Sequence, residues 1–201
     1  MEHHENHITL IGSLASAPQF SHSNHGKHFY VFPLEVTRLS GTVDTLQILA
    51  TEELLSQTPI TDGDALCISG QIRSYNSRNA NGRRLIISVL ADSISLTDLP
   101  HDNRVTLRGS ICKEPIYRRT PLGREICDIM LAVNRSYHRA DYLPCILWGR
   151  TAQEAAYYSV GTEILLTGRL QSRSYIKLLE DRSEQRIAYE ISAITAEAVE
   201  T

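Results

Sequence analysis

Asn6-His-Ile-Thr-Leu-Ile-Gly12 and Asn103-Arg-Val-Thr-Leu-Arg-Gly109 are one seven-residue phrase written twice, and the offset of 97 between them organises the rest of the chain. At that offset Pro18 and Phe20 answer to Pro115 and Tyr117, and Gly26 answers to Gly123. Leu34-Glu-Val-Thr-Arg38 then answers to Leu131-Ala-Val-Asn-Arg135, and Asp44 with Leu46 to Asp141 with Leu143. The offset slips to 98 for Gly63, Leu66, Gly70 and Ile72, which match Gly161, Ile164, Gly168 and Leu170. A period this long is a domain duplication, not a solenoid repeat. The polar, proline-containing stretch between the copies reads as a linker. The expected organisation is a first domain over 1–97, a linker over 98–102 and a second domain over 103–201.

Each copy has the same grammar. Strands are expected at Ile8–Leu14, His28–Thr37 and Thr45–Ala50, then a short helix at Glu52–Ser56, then strands at Ala65–Tyr75 and Leu85–Leu96. The second copy places them at Val105–Ile111, Ile126–Asn134 and Tyr142–Trp148, with a helix at Thr151–Tyr158 and strands at Glu163–Tyr175 and Arg186–Ala196. Apolar and polar residues alternate clearly in Leu66-Cys-Ile-Ser-Gly-Gln-Ile72, the period of a half-buried strand. Five strands with one helix between the third and fourth is the order of the OB barrel. The expected fold is all-β: two tandem five-stranded Greek-key OB barrels, each with one short helix. A sandwich has the same alternation, and the helix within each repeat decides for the barrel.

The chain has 201 residues, is 42% hydrophobic and carries a net charge of −3. No run approaches the ~18 apolar residues of a membrane span, and the polar opening MEHHENH is neither a signal nor a transit peptide. An intracellular location follows as the expectation. Cys67, Cys112, Cys127 and Cys145 have no CxxC spacing, and they read as reduced, mostly buried thiols. The charge is uneven. Residues 1–100 hold 6 Lys+Arg against 10 Asp+Glu, while residues 101–201 hold 14 against 13, many of those arginines clustered. For a groove the local potential matters more than the total.

Strand parity sorts the candidate contacts, because alternate side chains face opposite ways. Leu143, Cys145 and Leu147 belong to the core, so Tyr142, Pro144, Ile146 and Trp148 share the outer face. Ile164, Leu166, Gly168 and Leu170 point inward, so Arg169, Gln171, Arg173 and Tyr175 line the other side. Aromatics among arginines on one barrel face suit base stacking with phosphate and cation–π contacts. The segment Tyr117–Arg124, read as a loop, adds Arg118, Arg119 and Arg124 at the barrel mouth, and Arg135, Tyr137 and Arg139 extend the strip. The first copy is poorer, with Thr45 and Thr51 where the second has Tyr142 and Trp148. It keeps Arg73 and Tyr75, followed by Arg78, Arg83 and Arg84.

At these residues the chain resembles the bacterial single-stranded DNA-binding protein family. The likeness is closest in Asp128-Ile-Met-Leu-Ala-Val-Asn-Arg-Ser-Tyr137, Asp141-Tyr-Leu-Pro-Cys-Ile-Leu-Trp-Gly149 and Gly168-Arg-Leu-Gln-Ser-Arg-Ser-Tyr175, with a looser version in Gly70-Gln-Ile-Arg-Ser-Tyr75. The resemblance implies OB folds gathered in sets of four, hence a homodimer of this two-fold chain. It also implies single-stranded DNA as the partner and Tyr142, Trp148 and Tyr175 as stacking residues. The expected setting is the bacterial cytoplasm, at the nucleoid, in replication, recombination or repair. Family members usually end in an acidic tail that recruits other proteins. The sequence here ends Ala196-Glu-Ala-Val-Glu-Thr201, which puts that recruitment in doubt.

Two other classes are weaker. An enzyme would need paired carboxylates, a nucleophile elbow or a phosphate-cradling glycine loop, and none is present. His3, His4 and His7 lie in the polar leader. His22, His25 and His28 lie in a loop without cysteine or carboxylate partners at metal-ligand spacing. No catalytic residue, metal or cofactor is expected. The second rival is an OB barrel that binds single-stranded RNA or serves only as a protein-interaction scaffold, with RNA binding the runner-up because nothing in the aromatic face need read a 2′-hydroxyl.

Overall fold

The computed structural model describes residues 5–79, 82–178 and 183–199, with the side chains of 78, 79, 82, 83 and 177 also left aside. His3 and His4, the side chains of Arg78 and Arg83, and the last two residues therefore lie outside the described residues. The first half runs β1 (Asn6–Leu14), β2 (Gln19–Asn24), β3 (Lys27–Thr37), β4 (Val43–Thr51), α1 (Glu52–Gln57), β5 (Ala65–Asn79) and β6 (Gly82–Leu96). The second runs β7 (Asp102–Ile111), β8 (Ile116–Arg119), β9 (Glu125–Arg135), β10 (Arg139–Trp148), α2 (Gly149–Ala155), β11 (Glu163–Leu178) and β12 (Ser183–Ala198).

In the first half the strands lie side by side as β3-β4-β6-β5-β1, and β1 closes the barrel onto β3 through Ser13↔Glu35 and Leu14↔Leu34. The second repeats this as β10, β12, β11 and β7 with closure of β7 onto β9. One parallel pairing per half, Ile48↔Val89 and Cys145↔Ile191, completes the Greek key of the OB barrel. Ile8, Leu10, Phe32, Leu34, Leu46 and Ile48 fill the first barrel, and Leu107, Leu131, Leu143, Leu147, Ile164 and Leu166 fill the second. Cys127 and Cys145 are buried and Cys67 and Cys112 half-buried, all four as free thiols. Burial pushes the Cys145 thiol far up, so it stays protonated at neutral pH.

Two strands lie where the sequence suggested loops. β2 is Gln-Phe-Ser-His-Ser-Asn, exposed along its whole length, so it has no alternation to read. It exists because it pairs with β3 across a tight turn whose residues His25 and Gly26 both have positive φ, at 47° and 74°. β8 pairs with β9 in the same way.

The repeated glycines mark close backbone approaches. At Gly70 an added Cβ would lie 2.1 Å from the Leu90 carbonyl oxygen, and at Gly168 2.4 Å from that of Ser192. Both sit where the register slips, between Ser69 and Gly70 and between Thr167 and Gly168. A bulge beside a bare Cα lets the long β5 and β11 bend around the barrel. Gly70→Ala is therefore expected to cost about 3 kcal/mol by overpacking, read as a lower urea midpoint. A midpoint unchanged from wild type would show that the two strands can part without penalty.

The halves are joined by backbone. β1 pairs antiparallel with β7 from Asn6↔Leu107 to Ile11↔Asp102, which makes one continuous 12-stranded sheet. The asparagine that opens the repeated phrase has a task here. With its backbone committed to the other half, Asn6 uses its side chain to reach its own barrel. Its Nδ2 donates to the Ile72 carbonyl at 2.8 Å and its Oδ1 accepts from the Ile72 N–H at 2.8 Å. Asn103 does the same to Leu170, at 2.7 and 3.0 Å. Between β6 and β7 the connection is held down by His101, whose Nδ1 accepts the Thr37 N–H at 2.9 Å.

The repeated acids clamp the halves together. Asp44, buried, accepts the Ser172 N–H at 2.7 Å and the Ser172 hydroxyl at 2.8 Å from the other half. Asp141, buried likewise, accepts the Ser74 N–H at 2.6 Å, and the Ser74 hydroxyl oxygen accepts the Tyr142 N–H at 2.8 Å.

Candidate nucleic-acid interface

The outer face of the second barrel is built from β10, β12 and β11. Ile146 pairs with Ser192, and Ser192 pairs with Arg169, so the three share one row across the face. Trp148 stands at the end of β10, immediately before α2, and caps that helix with no side-chain hydrogen bond. Its indole N–H instead donates to the Ser192 hydroxyl at 3.1 Å, which fixes the ring beside the row while 39% of it stays exposed. The repeat explains the contrast with the first half. Thr51, the matching residue, spends its hydroxyl on the Leu54 N–H at 3.2 Å as the N-cap of α1.

Tyr142 is 47% exposed at the far end of β10, about 20 Å from Trp148 at strand rise. Tyr175, on β11, pairs with Arg186 and is 37% exposed, and the Arg173 guanidinium sits over its ring at 5.9 Å. Arg173 is also 3.4 Å from Glu190, while Arg169 is exposed and Gln171 half-buried. Ile146 shares this parity and is nonetheless buried, so the face has an apolar floor between its aromatics.

Several arginines are less free than their spacing suggests. Arg118 and Arg119 lie on β8, not in a loop, and each faces a carboxylate across the hairpin. Arg118 Nε is 2.8 Å from Asp128, and Arg119 Nη2 is 2.8 Å from Glu125. Glu125 also accepts the Tyr117 hydroxyl at 2.7 Å and the Gln153 amide, and these bonds with that of Arg119 hold its carboxyl below the usual range. Arg124 remains exposed in the turn that follows.

Arg73 and Arg135 are drawn away from the aromatic face to the join between the halves. Arg73 Nη1 is 3.2 Å and Arg135 Nε 3.7 Å from the buried Asp141. They face a cavity of about 360 Å³ at the β9–β10 turn, where Tyr137 is almost fully exposed.

The first half holds a groove that the aligned positions did not reveal. It measures about 780 Å³ and is lined in part by His22, Phe29, Tyr75, Ile86, Arg73 and Arg135. His22 stacks on Phe29 with ring centroids 4.9 Å apart and planes 6° from parallel. Beside them Phe20 meets Tyr30 edge-on at 5.8 Å. These aromatics come from the β2–β3 hairpin, whereas the stacking candidates of the second half come from β10 and β11. The cluster His28-Phe-Tyr30 was the available signal, hidden because it has no counterpart at the repeat offset.

Two closed five-stranded barrels, with aromatics and arginines gathered on the outer strands, define an OB-fold protein of the oligonucleotide-binding type. The model of the Single-strand binding protein family matches residues 102–199. Single-stranded DNA-binding protein B of Bacillus subtilis is 40% identical over 80 residues, covering 36% of this chain and 71% of that protein. Single-stranded DNA-binding protein 2 of Listeria innocua is 33% identical over 105 residues, covering 49% of this chain and 62% of that one. The chain belongs to the single-strand binding protein family, which places it among binding proteins and not among enzymes. Its matched part spans 58–62% of several other relatives. The whole two-barrel fold is similar to that of the wild-type single-stranded DNA-binding protein of Thermus aquaticus, with a TM-score of 0.80 at 20% identity over 98% of this chain and 93% of that one.

Proposed function

We propose that the chain binds single-stranded DNA without sequence preference, stacking bases on Trp148, Tyr142 and Tyr175 and holding phosphates with Arg169, Arg173 and Arg124. The observation that carries this is the row on the second barrel, where Trp148 is oriented by Ser192 and Ser192 pairs with Arg169. A ring held at the correct angle before binding loses little entropy on stacking. Gln171 adds a donor on the same strand. Arg118 and Arg119 contribute after exchanging Asp128 and Glu125 for phosphate. The two halves, divided near residues 98–102, act as a stronger second domain and a weaker first one, in which Tyr75 and Phe29 stack. Two chains associate as a homodimer to bring four barrels together, and the setting is strand protection during replication, recombination or repair.

Trp148 is the only tryptophan, so its fluorescence reports this face alone. Titration with oligo-dT is expected to quench it strongly, with no response to duplex DNA and a weaker one to the matching RNA. Equal quenching by RNA would make the chain a general single-strand binder. No response from folded protein to any strand would refute the proposal.

A further inference from the structure

We infer that one of the two joins between the halves, and only one, holds a backbone phosphate of the bound strand as it crosses from the second barrel to the first. The inference rests on the single-strand reading above and adds to it a route.

A duplicated chain whose β1 pairs with β7 has two such joins, related by its repeat. At the first, the β3–β4 turn meets β11. Arg38 there donates Nε and Nη2 to the two oxygens of Asp44, both at 2.7 Å, and Nη2 again to the Ser172 carbonyl at 2.8 Å. Its charge and its hydrogen-bonding edge are spent.

At the second, the β9–β10 turn meets β5, and the arrangement is open. Arg73, Arg135 and Arg139 line one cavity of about 360 Å³, and none of its described lining residues is a carboxylate. Among the described residues Asp141 is the single acid paired with these arginines, and of the three it reaches Arg73 and Arg135 while its other oxygen accepts the Ser74 N–H. Arg135 Nε is buried without a hydrogen-bond partner among the described residues. A buried guanidinium N–H that has only this loose 3.7 Å ion pair and no hydrogen bond carries a desolvation penalty that a closer anionic oxygen removes. Arg139 is exposed, with no ion pair among the described residues.

The difference between the joins is in the sequence. Where the second has Arg139 the first has Thr42, and where the second has Arg73 the first has Gln171. The turn differs as well. Tyr137 and His138 hold left-handed φ of 64° and 53° without being glycine, whereas the first turn uses Gly41 at 85°. Non-glycine residues in that region are strained, and such strain gathers at binding sites.

Continuity completes the case. Arg73 and Arg135 line both this cavity and the 780 Å³ groove of the first half. A phosphodiester seated between them has aromatic Tyr137 on one side and the His22–Phe29–Tyr75 groove on the other. A molecule built as a near-symmetric pair thus has a single crossing point for its strand.

The test compares Arg139→Gln with wild type on two dT oligonucleotides, one of about 8 nucleotides that fits a single barrel and one of about 35 that spans both. The expected result is unchanged affinity for the short strand and a loss of about fivefold on the long one. The long-strand salt slope should also fall in magnitude by about 0.7, one phosphate. Equal losses on both lengths would place Arg139 on the second barrel's own track and overturn the crossing. No loss on either overturns it too. A variant altered only in competition by inorganic phosphate, at fixed ionic strength, would mean a site for free phosphate instead. If wild type binds neither strand, the single-strand reading fails first, and the crossing falls with it.

Discussion

Replacing Asp44 with alanine is expected to lower the unfolding free energy by about 3 kcal/mol, the scale for removing one member of a buried, hydrogen-bonded ion pair. The carboxylate is buried and receives four hydrogen bonds, two from Arg38 and two from Ser172 of the other half. Alanine leaves the Ser172 N–H and the Arg38 guanidinium without their acceptor at the join. Urea unfolding measures the loss, and a change below about 0.5 kcal/mol would mean that β1–β7 pairing alone holds the halves. The same residue carries a pH signature. Burial alone would raise the Asp44 pKa, but the hydrogen bonds from Arg38 and from the Ser172 backbone and hydroxyl outweigh it and set the pKa below the usual carboxylate value. A depressed folded pKa means stability that is fully present above the unfolded value, about 3.9. That stability is lost as pH falls through the folded one. In Asp44→Asn the acid sensitivity lying below about pH 4 should shrink by the share that Asp44 carries. An unchanged acid limb would assign that sensitivity to other carboxylates.

Trp148→Ala should weaken dT binding by 1–3 kcal/mol, or roughly 5- to 150-fold, the value of one stacked base. With the tryptophan gone, this is read by anisotropy of a labelled strand. Tyr175→Ala should fall in the same range and exceed the loss from Tyr75→Ala. Both tyrosines have the same strand parity, with Tyr175 two residues further along β11 than Tyr75 is along β5, and their neighbours differ. Tyr175 has Arg173 over its ring and Arg186 opposite, whereas Tyr75 pairs with Ile86, and the two arginines of its groove, Arg73 and Arg135, are drawn to Asp141. A base on Tyr175 therefore gains stacking and charge together. Equal losses from the two tyrosines would make the halves equivalent binders and remove the asymmetry between them.

The barrels and their outer faces were legible in the sequence because the signals that mark them are local. Alternation with period two places Leu143, Cys145 and Leu147 inside and Tyr142 and Trp148 outside, whatever lies elsewhere in the chain. The duplication was legible too, since each half solves the same packing problem with the same glycines and the same asparagine. What that reading missed is edge pairing. β2 and β8 have no apolar alternation of their own and are strands only because β3 and β9 lie beside them.

The use of each charge was also beyond the linear chain. Arg38 and Arg135, or Asp44 and Asp141, stand out as repeat matches, but nothing local says that Arg38, Asp44 and Asp141 bond to residues of the opposite half. Arg73 and Arg135 are attractive phosphate contacts by spacing, and only the folded chain brings both to Asp141, more than sixty positions from Arg73. The face of a strand follows from its own pleat, so neighbouring residues suffice to assign it. The partner of a buried charge depends on which distant segment closes over it, and here that was decided by the pairing of β1 with β7.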